Sequence, residues 1–178
     1  MSGEVEIRRE LRPGDFGELI AFQARLYARE FRMDRSFETT IAAAVTEAAD
    51  RGWPGEREGV WIVERDGAIV GSLALTDDGD TGWIRWFLLD PSLRGRGLGR
   101  QLLAELMAMA ESTGHERLRL ETFNELRTAA HMYHSHGFEV VSEGPEHRWG
   151  RQLTIQHYEL ELAPEASGEL VELRFSAG

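Results

Sequence analysis

No cysteine occurs in the 178 residues. That excludes disulfides, thiolate catalysis and cysteine-ligated metal, and it fits a reducing compartment. No apolar run approaches the roughly 20 residues of a membrane span. The first ten residues, MSGEVEIRRE, are charged and lack the apolar core of a secretory signal. A cytoplasmic protein without membrane contact is the expectation. Positive charge is also scarce: 20 basic residues against 31 acidic ones give a formal net charge of -11. Such a surface repels nucleic acid and anionic lipid but tolerates amines. No nucleic-acid partner is expected. There is no Walker A pattern, no internal repeat and no low-complexity tract. The dinucleotide pattern GxGxxG fails as well, because three residues after Gly97 stands Arg100.

What remains is the profile of a soluble domain with a core of its own, 42% hydrophobic and 29% charged. Val5, Ile7 and Leu11 alternate as in a half-exposed strand. Phe16, Leu19, Ile20, Leu26, Tyr27 and Phe31 then follow helical spacing. Ser36 can cap a second helix running to about Asp50. Residues 59–90 read as three strands in a meander, with turns at Asp66-Gly67 and at DDGD, 77–80. A helix over 97–112, a strand over 117–123 and a helix over 125–136 stopped by Gly137 follow. FEVVSE and LTIQHYELEL close the order as strands, joined by GPEHRWGR. The order β-α-α-β-β-β-α-β-α-β-β predicts a mixed α/β sheet of about seven strands, mostly antiparallel, with helices on both faces. The domain is expected over 1–163, with a C-terminal tail over 164–178.

Between the strand that ends in LLDP and the next helix stands Arg94-Gly95-Arg96-Gly97-Leu98-Gly99-Arg100. Against an acidic whole, this local basic turn points to an anion. Successive glycines let backbone N–H groups converge, a helix N-terminus adds its dipole, and arginine grips phosphate oxygens. Two other readings stay open: a glycine turn with solvated arginines, and a phosphate site for another nucleotide. His131, His134 and His136 do not share one helix face, so no metal is expected.

Arg94-x-x-Gly97-x-Gly99 resembles the acetyl-CoA pyrophosphate loop of the GNAT superfamily of N-acetyltransferases, whose signature is R/Q-x-x-G-x-G/A. Tyr133-His134-Ser135-His136-Gly137-Phe138 resembles the family's Tyr-x-x-x-Gly-Phe, and the element order agrees from residue 4 to about 162. A finer likeness, carried by LYAREF (26–31), Phe37-Glu38, WIVERDGAIVGS (61–72), HRWG (147–150) and the strand from Gln156 to Leu160, is to the acetyltransferase half of fusions with MarR-type regulators. This chain has no room for the DNA-binding half, so no DNA role is expected.

The resemblance implies splayed strands at 83–90 and 117–123 with the pantetheine arm between them. Main-chain groups of Leu88 and Leu89 would pair with the arm, and the Leu89 N–H would stabilise the oxyanion. N–H groups from Gly95 to Arg100 would hold the pyrophosphate. Tyr133 matches the general acid that protonates the leaving thiolate, or else a tyrosine packed on the cofactor. Many members carry Asn at the position of Leu126; Asn124 is the candidate replacement. Glu121 is the first candidate for the base, against an exposed strand glutamate. Arg85 could meet a substrate carboxylate, against a solvated charge. Tyr27, Glu30 and Phe31 would border the acceptor site, with His147, Trp149 and Gln156 closing it, each with packing as the alternative. The implied reaction moves acetyl from acetyl-CoA to a primary amine of a small molecule by direct attack, with no metal. A non-catalytic acyl-CoA-binding module is the rival. Dimers are frequent in the family, and a homodimer is expected by that analogy.

Overall fold

A run that is apolar at successive positions, Val60-Trp61-Ile62-Val63, has to be covered on both faces. In the computed structural model, which describes residues 3–163, it is, with all four side chains buried. The chain runs β1 (Val5–Arg8), α1 (Asp15–Phe31), α2 (Arg35–Asp50), β2 (Gly59–Arg65), β3 (Ala68–Asp78), β4 (Thr81–Leu89), a 3-10 turn (Pro91–Leu93), α3 (Leu98–Ser112), β5 (Arg117–Phe123), α4 (Arg127–Ser135), β6 (Glu139–Arg148) and β7 (Arg151–Glu161). Seven strands form one sheet in the order β1-β2-β3-β4-β5-β7-β6, antiparallel except where β4 meets β5. Val60, Ile62, Ala74 and Trp86 pack under α1 and α2; Trp61, Val63, Leu73 and Leu75 pack under α3. Among the described residues no helix is long and apolar enough to cross a membrane.

Two local expectations change. Asp34, not Ser36, caps α2: its side chain accepts from the Ser36 N–H at 2.9 Å, and the helix starts one residue earlier than Ser36. The predicted connection GPEHRWGR is mostly strand. Gly144 and Pro145 sit in register with Ile155 and Thr154 on the edge strand β6, where a missing N–H faces no further strand. The turn itself is only Trp149-Gly150, both with positive φ (54° and 75°), as a two-residue hairpin turn requires. The expected tail, 164–178, lies outside the described residues.

All 20 basic side chains are arginine, and several of their forked heads tie elements together among the described residues. The most buried fork fixes α1, which roofs the sheet. Arg8 of β1 bonds both Asp15 oxygens at 2.9 Å and Glu64 of β2 at 2.8 Å. Burial works to raise the Asp15 carboxyl, but Arg8 and the Arg12 N–H outweigh it and hold it below the usual range. The hydrogen bond from Arg8 holds Glu64 low as well. Carboxylates held low contribute stability above their unfolded pKa of about 4 and lose it as pH falls through the depressed folded values. Arg8→Ala strands two carboxylates and should cost about 3 kcal/mol at pH 7. In urea unfolding, the gap between Arg8→Ala and the unmodified protein should narrow towards pH 3. An equal midpoint at pH 7 would refute this account.

Candidate active site

β4 and β5 pair over Thr81–Trp83 and Arg117–Arg119, and there the ladder ends. Beyond that point β4 bulges. Ala74 faces Arg85 and Ser72 faces Leu88, so one residue of β3 spans Trp86 and Phe87. Trp86 takes φ 48°, its carbonyl accepts from the Ser72 hydroxyl at 2.6 Å, and its ring stands edge-on to Trp53 at 5.2 Å. A bulge bends its strand and sharpens the local twist. Here it sets Arg85 and Trp86 in succession on the α1/α2 face. The two strands part, and a cavity of about 810 Å³ opens between them.

One end of this cavity is the glycine turn. Gly95 and Gly97 have φ 73° and 83°, a region that side chains disfavour, and Gly97 caps α3. Among the described residues, the backbone N–H groups from Gly95 to Arg100 donate to no protein acceptor. Six consecutive free donors at a helix N-terminus form a ready anion cradle. Arg94 is occupied differently from the expectation of a phosphate clamp. Its Nη1 and Nη2 bond the two Glu30 oxygens at 2.9 and 3.0 Å, and its Nε bonds the Leu89 carbonyl at 3.0 Å. Two residues expected to serve different sites thus hold each other, and they tie α1 to the turn. Arg100 also lines the cavity; Arg96 and Leu98 do not.

Tyr133 lies on the α4 face that meets the cavity, 5% exposed, its ring 5.7 Å from both Phe138 and Tyr158. Its hydroxyl has no hydrogen-bond partner among the described residues. Burial pushes the phenol well above its ordinary value, and nearby Tyr27 and Tyr158 add to the effect. The group therefore keeps its proton at neutral pH. Tyr27 is pushed up to about 12, again chiefly by burial.

The far wall is aromatic. Tyr27 touches Phe37 and Phe31 at centroid distances of 4.8 and 5.5 Å, Phe31 meets Phe123 edge-on at 5.1 Å, and Phe37 meets Trp149 edge-on at 5.1 Å. The β6–β7 turn docks on the α1–α2 junction. The Asp34 N–H donates to the Trp149 carbonyl at 3.1 Å, and a Cβ on Gly150 would come within 2.7 Å of the Asp34 carboxylate. Trp149 therefore reaches the cavity. His147 and Gln156 do not: His147 sits beside the turn opposite Gln152, and Gln156 donates to Glu143 at 2.8 Å. Asn124 is also off the cavity; its Oδ1 accepts from the Thr154 N–H at 3.3 Å and joins the ends of β5 and β7.

Polar groups line the floor. Arg85 stands over Trp83 at 5.7 Å, and its one protein acceptor among the described residues is the Thr76 hydroxyl at 3.3 Å. Glu121 uses both oxygens: Oε1 accepts from Arg148 at 2.8 Å, and Oε2 lies 3.0 Å from His157 Nε2. His157, Phe37, Phe123 and Thr40 line the cavity, and none of them is among the site residues expected from sequence. The phase of β7 held the one available signal: Leu153, Ile155 and His157 share a face, opposite buried Tyr158. Among the described residues no group of three or more His, Asp or Glu side chains is gathered for a metal.

The model of the Acetyltransferase (GNAT) family matches residues 23–138. An uncharacterized N-acetyltransferase of Schizosaccharomyces pombe is 29% identical over 119 residues, covering 65% of this chain and 71% of that protein. The L-methionine sulfoximine/L-methionine sulfone acetyltransferase of Salmonella typhimurium is 26% identical over 142 residues, 75% of this chain and 80% of its own length. The solved acetyltransferase of Streptococcus agalactiae superimposes with a TM-score of 0.71 at 21% identity, covering 89% of this chain and 98% of that one.

If the Arg94 fork braces the turn through Glu30, then Arg94→Ala and Glu30→Ala should weaken CoA binding by similar, few-fold factors. The double variant should be little worse than either single one. If Arg94 gripped the anion itself, its loss alone would dominate; calorimetric CoA affinities of the three variants distinguish the two.

Proposed function

Because this chain belongs to the GNAT family of acetyltransferases, we propose that it transfers the acetyl group of acetyl-CoA to the primary amine of a small molecule that also bears a carboxylate. Acetyl-CoA, the family's cosubstrate, supplies an activated thioester. The observation that carries the reading is one continuous cavity with a role for each wall: six free N–H donors at one end, an aromatic wall at the other, and the unpartnered Tyr133 hydroxyl along it.

The cradle from Gly95 to Arg100 holds the pyrophosphate, with Arg100 adding charge. Main-chain groups at Leu88 and Leu89, left without a β5 partner, align the pantetheine arm as an added strand would. The Leu89 N–H steadies the thioester oxygen. Tyr133, kept protonated by burial, donates its proton to the leaving sulfur. With no cysteine available to carry an acyl group, the amine attacks directly in a ternary complex.

Arg85 supports the substrate class. Its guanidinium faces the cavity without a carboxylate partner among the described residues, whereas Arg94, Arg119, Arg148 and Arg151 all have one. The methionine sulfoximine and sulfone of the Salmonella relative's name are amino acids, which fits a cationic anchor beside an amine site. The finer likeness to MarR-type fusions adds no partner to this reading.

Two measurements test it. Calorimetric titration should show binding of acetyl-CoA and CoA but not of ATP or NAD, and Tyr133→Phe should retain that binding while kcat falls by roughly 10²-fold or more. Unchanged turnover in Tyr133→Phe would remove the acid role, whereas an unmodified protein that binds acetyl-CoA and turns over no amine would favour a binding module. Second, Arg85→Gln should raise KM for carboxylate-bearing amines about tenfold or more and leave decarboxylated analogues nearly unaffected. An equal effect on both would refute the anchor.

A further inference from the structure

Three polar side chains stand in one cross-strand row on the cavity face of the sheet. Glu121 of β5 is directly opposite His157 of β7, and His157 is directly opposite Ser142 of the edge strand β6. The contacts are continuous: Glu121 Oε2 to His157 Nε2 is 3.0 Å, and His157 Nδ1 to Ser142 Oγ is 3.1 Å. The row begins at the cavity floor and ends at an exposed residue on the sheet's rim.

This alignment is made by a bulge. Val140 is opposite Tyr158, so regular pairing would put Val141 opposite His157. Instead the register shifts between Val140 and Ser142. Val141 is left 55% exposed, one of the two large hydrophobic side chains so exposed among the described residues. A bulge that turns an apolar side chain into water in order to aim a hydroxyl at an imidazole is a device of the kind found beside active sites.

We infer that Glu121, His157 and Ser142 form a proton exit from the acceptor site to the sheet edge, with His157 relaying the proton that Glu121 receives. The inference rests on the acetyl-transfer reading above. The substrate ammonium gives one proton to the Glu121 carboxylate, leaving a neutral amine and a carboxylic acid. Once protonated at Oε2, Glu121 donates to Nε2 of the His157 tautomer whose ring proton sits on Nδ1 beside Ser142; transfer restores the carboxylate and forms an imidazolium. The imidazolium releases its Nδ1 proton to solvent at Ser142, and a turn of the half-exposed ring restores the accepting tautomer. Arg148 keeps its 2.8 Å bond to Glu121 Oε1 throughout and orients the carboxylate.

The other charges around His157 are mostly paired with one another. Arg119 of β5 and Glu159 of β7 pair with each other on the same face. Glu146 of β6 binds Arg148. Glu143 of β6 is engaged by Gln156. Arg85 faces Glu121 from across the gap, with Glu47 of α2 acting on Arg85.

The experiment is kcat at pH 7 with acetyl-CoA and an amine the unmodified protein acetylates. In His157→Gln the rate at pH 7 should fall by about 10²-fold. Its acetyl-CoA affinity should be unchanged by calorimetry. His157→Ala should regain rate on addition of imidazole, which a merely structural loss would not. Ser142→Ala, at the exposed rim, is the second variant and should slow turnover several-fold. A His157→Gln protein that keeps the full rate, or a His157→Ala protein indifferent to imidazole, overturns the relay and leaves acetyl transfer standing. An unmodified protein that binds acetyl-CoA but acetylates no amine overturns both.

Discussion

Everything at the centre of this molecule follows from the parting of β4 from β5. A parallel pair buried in a sheet ordinarily keeps its ladder, because unpaired backbone groups inside a protein are costly. Here the ladder stops after Trp83 and Arg119. The bulge at Trp86, held by the Ser72 hydroxyl and the Trp53 ring, lies just beyond the point where the strands part. The exposed backbone edge and the cavity beside it are two aspects of the same break. An extended ligand arm that offers amide groups can satisfy both. The energy forgone in strand pairing is thereby kept in reserve for ligand binding.

The roof over that gap is held by ion pairs more than by propensity. α1 is fastened at its start by Arg8, Asp15 and Glu64, and near its end by Glu30 and Arg94. The second fastening reaches the glycine turn and the last carbonyl of β4. The aromatic wall and the glycine turn are therefore tied to each other through one side-chain pair. The first fastening lies in the most buried charge cluster described, so the roof and the domain's acid sensitivity share residues.

The element order was legible because each strand and helix announces itself by local periodicity, and the glycine turn because its chemistry is contained in seven consecutive residues. Contacts that join distant positions were not legible. Nothing near Glu30 says that it meets a residue 64 positions later. Nothing near His157 says that β7 inserts between β5 and β6 and brings Glu121 opposite it. Gly144-Pro145 misled for a physical reason: the pair usually marks a loop, yet an edge strand tolerates it because no neighbour needs the proline's N–H. Asn124 looked available for the cofactor because a side-chain amide serves equally well as a strand clasp, and only the register with Thr154 decides between them.

The arginine forks have one further chemical meaning. A protein that holds an activated acyl thioester exposes its own nucleophiles to it. Lysine ε-amines would be the most vulnerable groups nearby, each a potential pseudo-substrate. This chain has no lysine at all. Its cations are guanidinium groups, which stay charged at any physiological pH and do not attack thioesters. The same choice of residue that gives bidentate geometry to the fastenings also removes every side-chain amine that could be acylated in place of the intended acceptor.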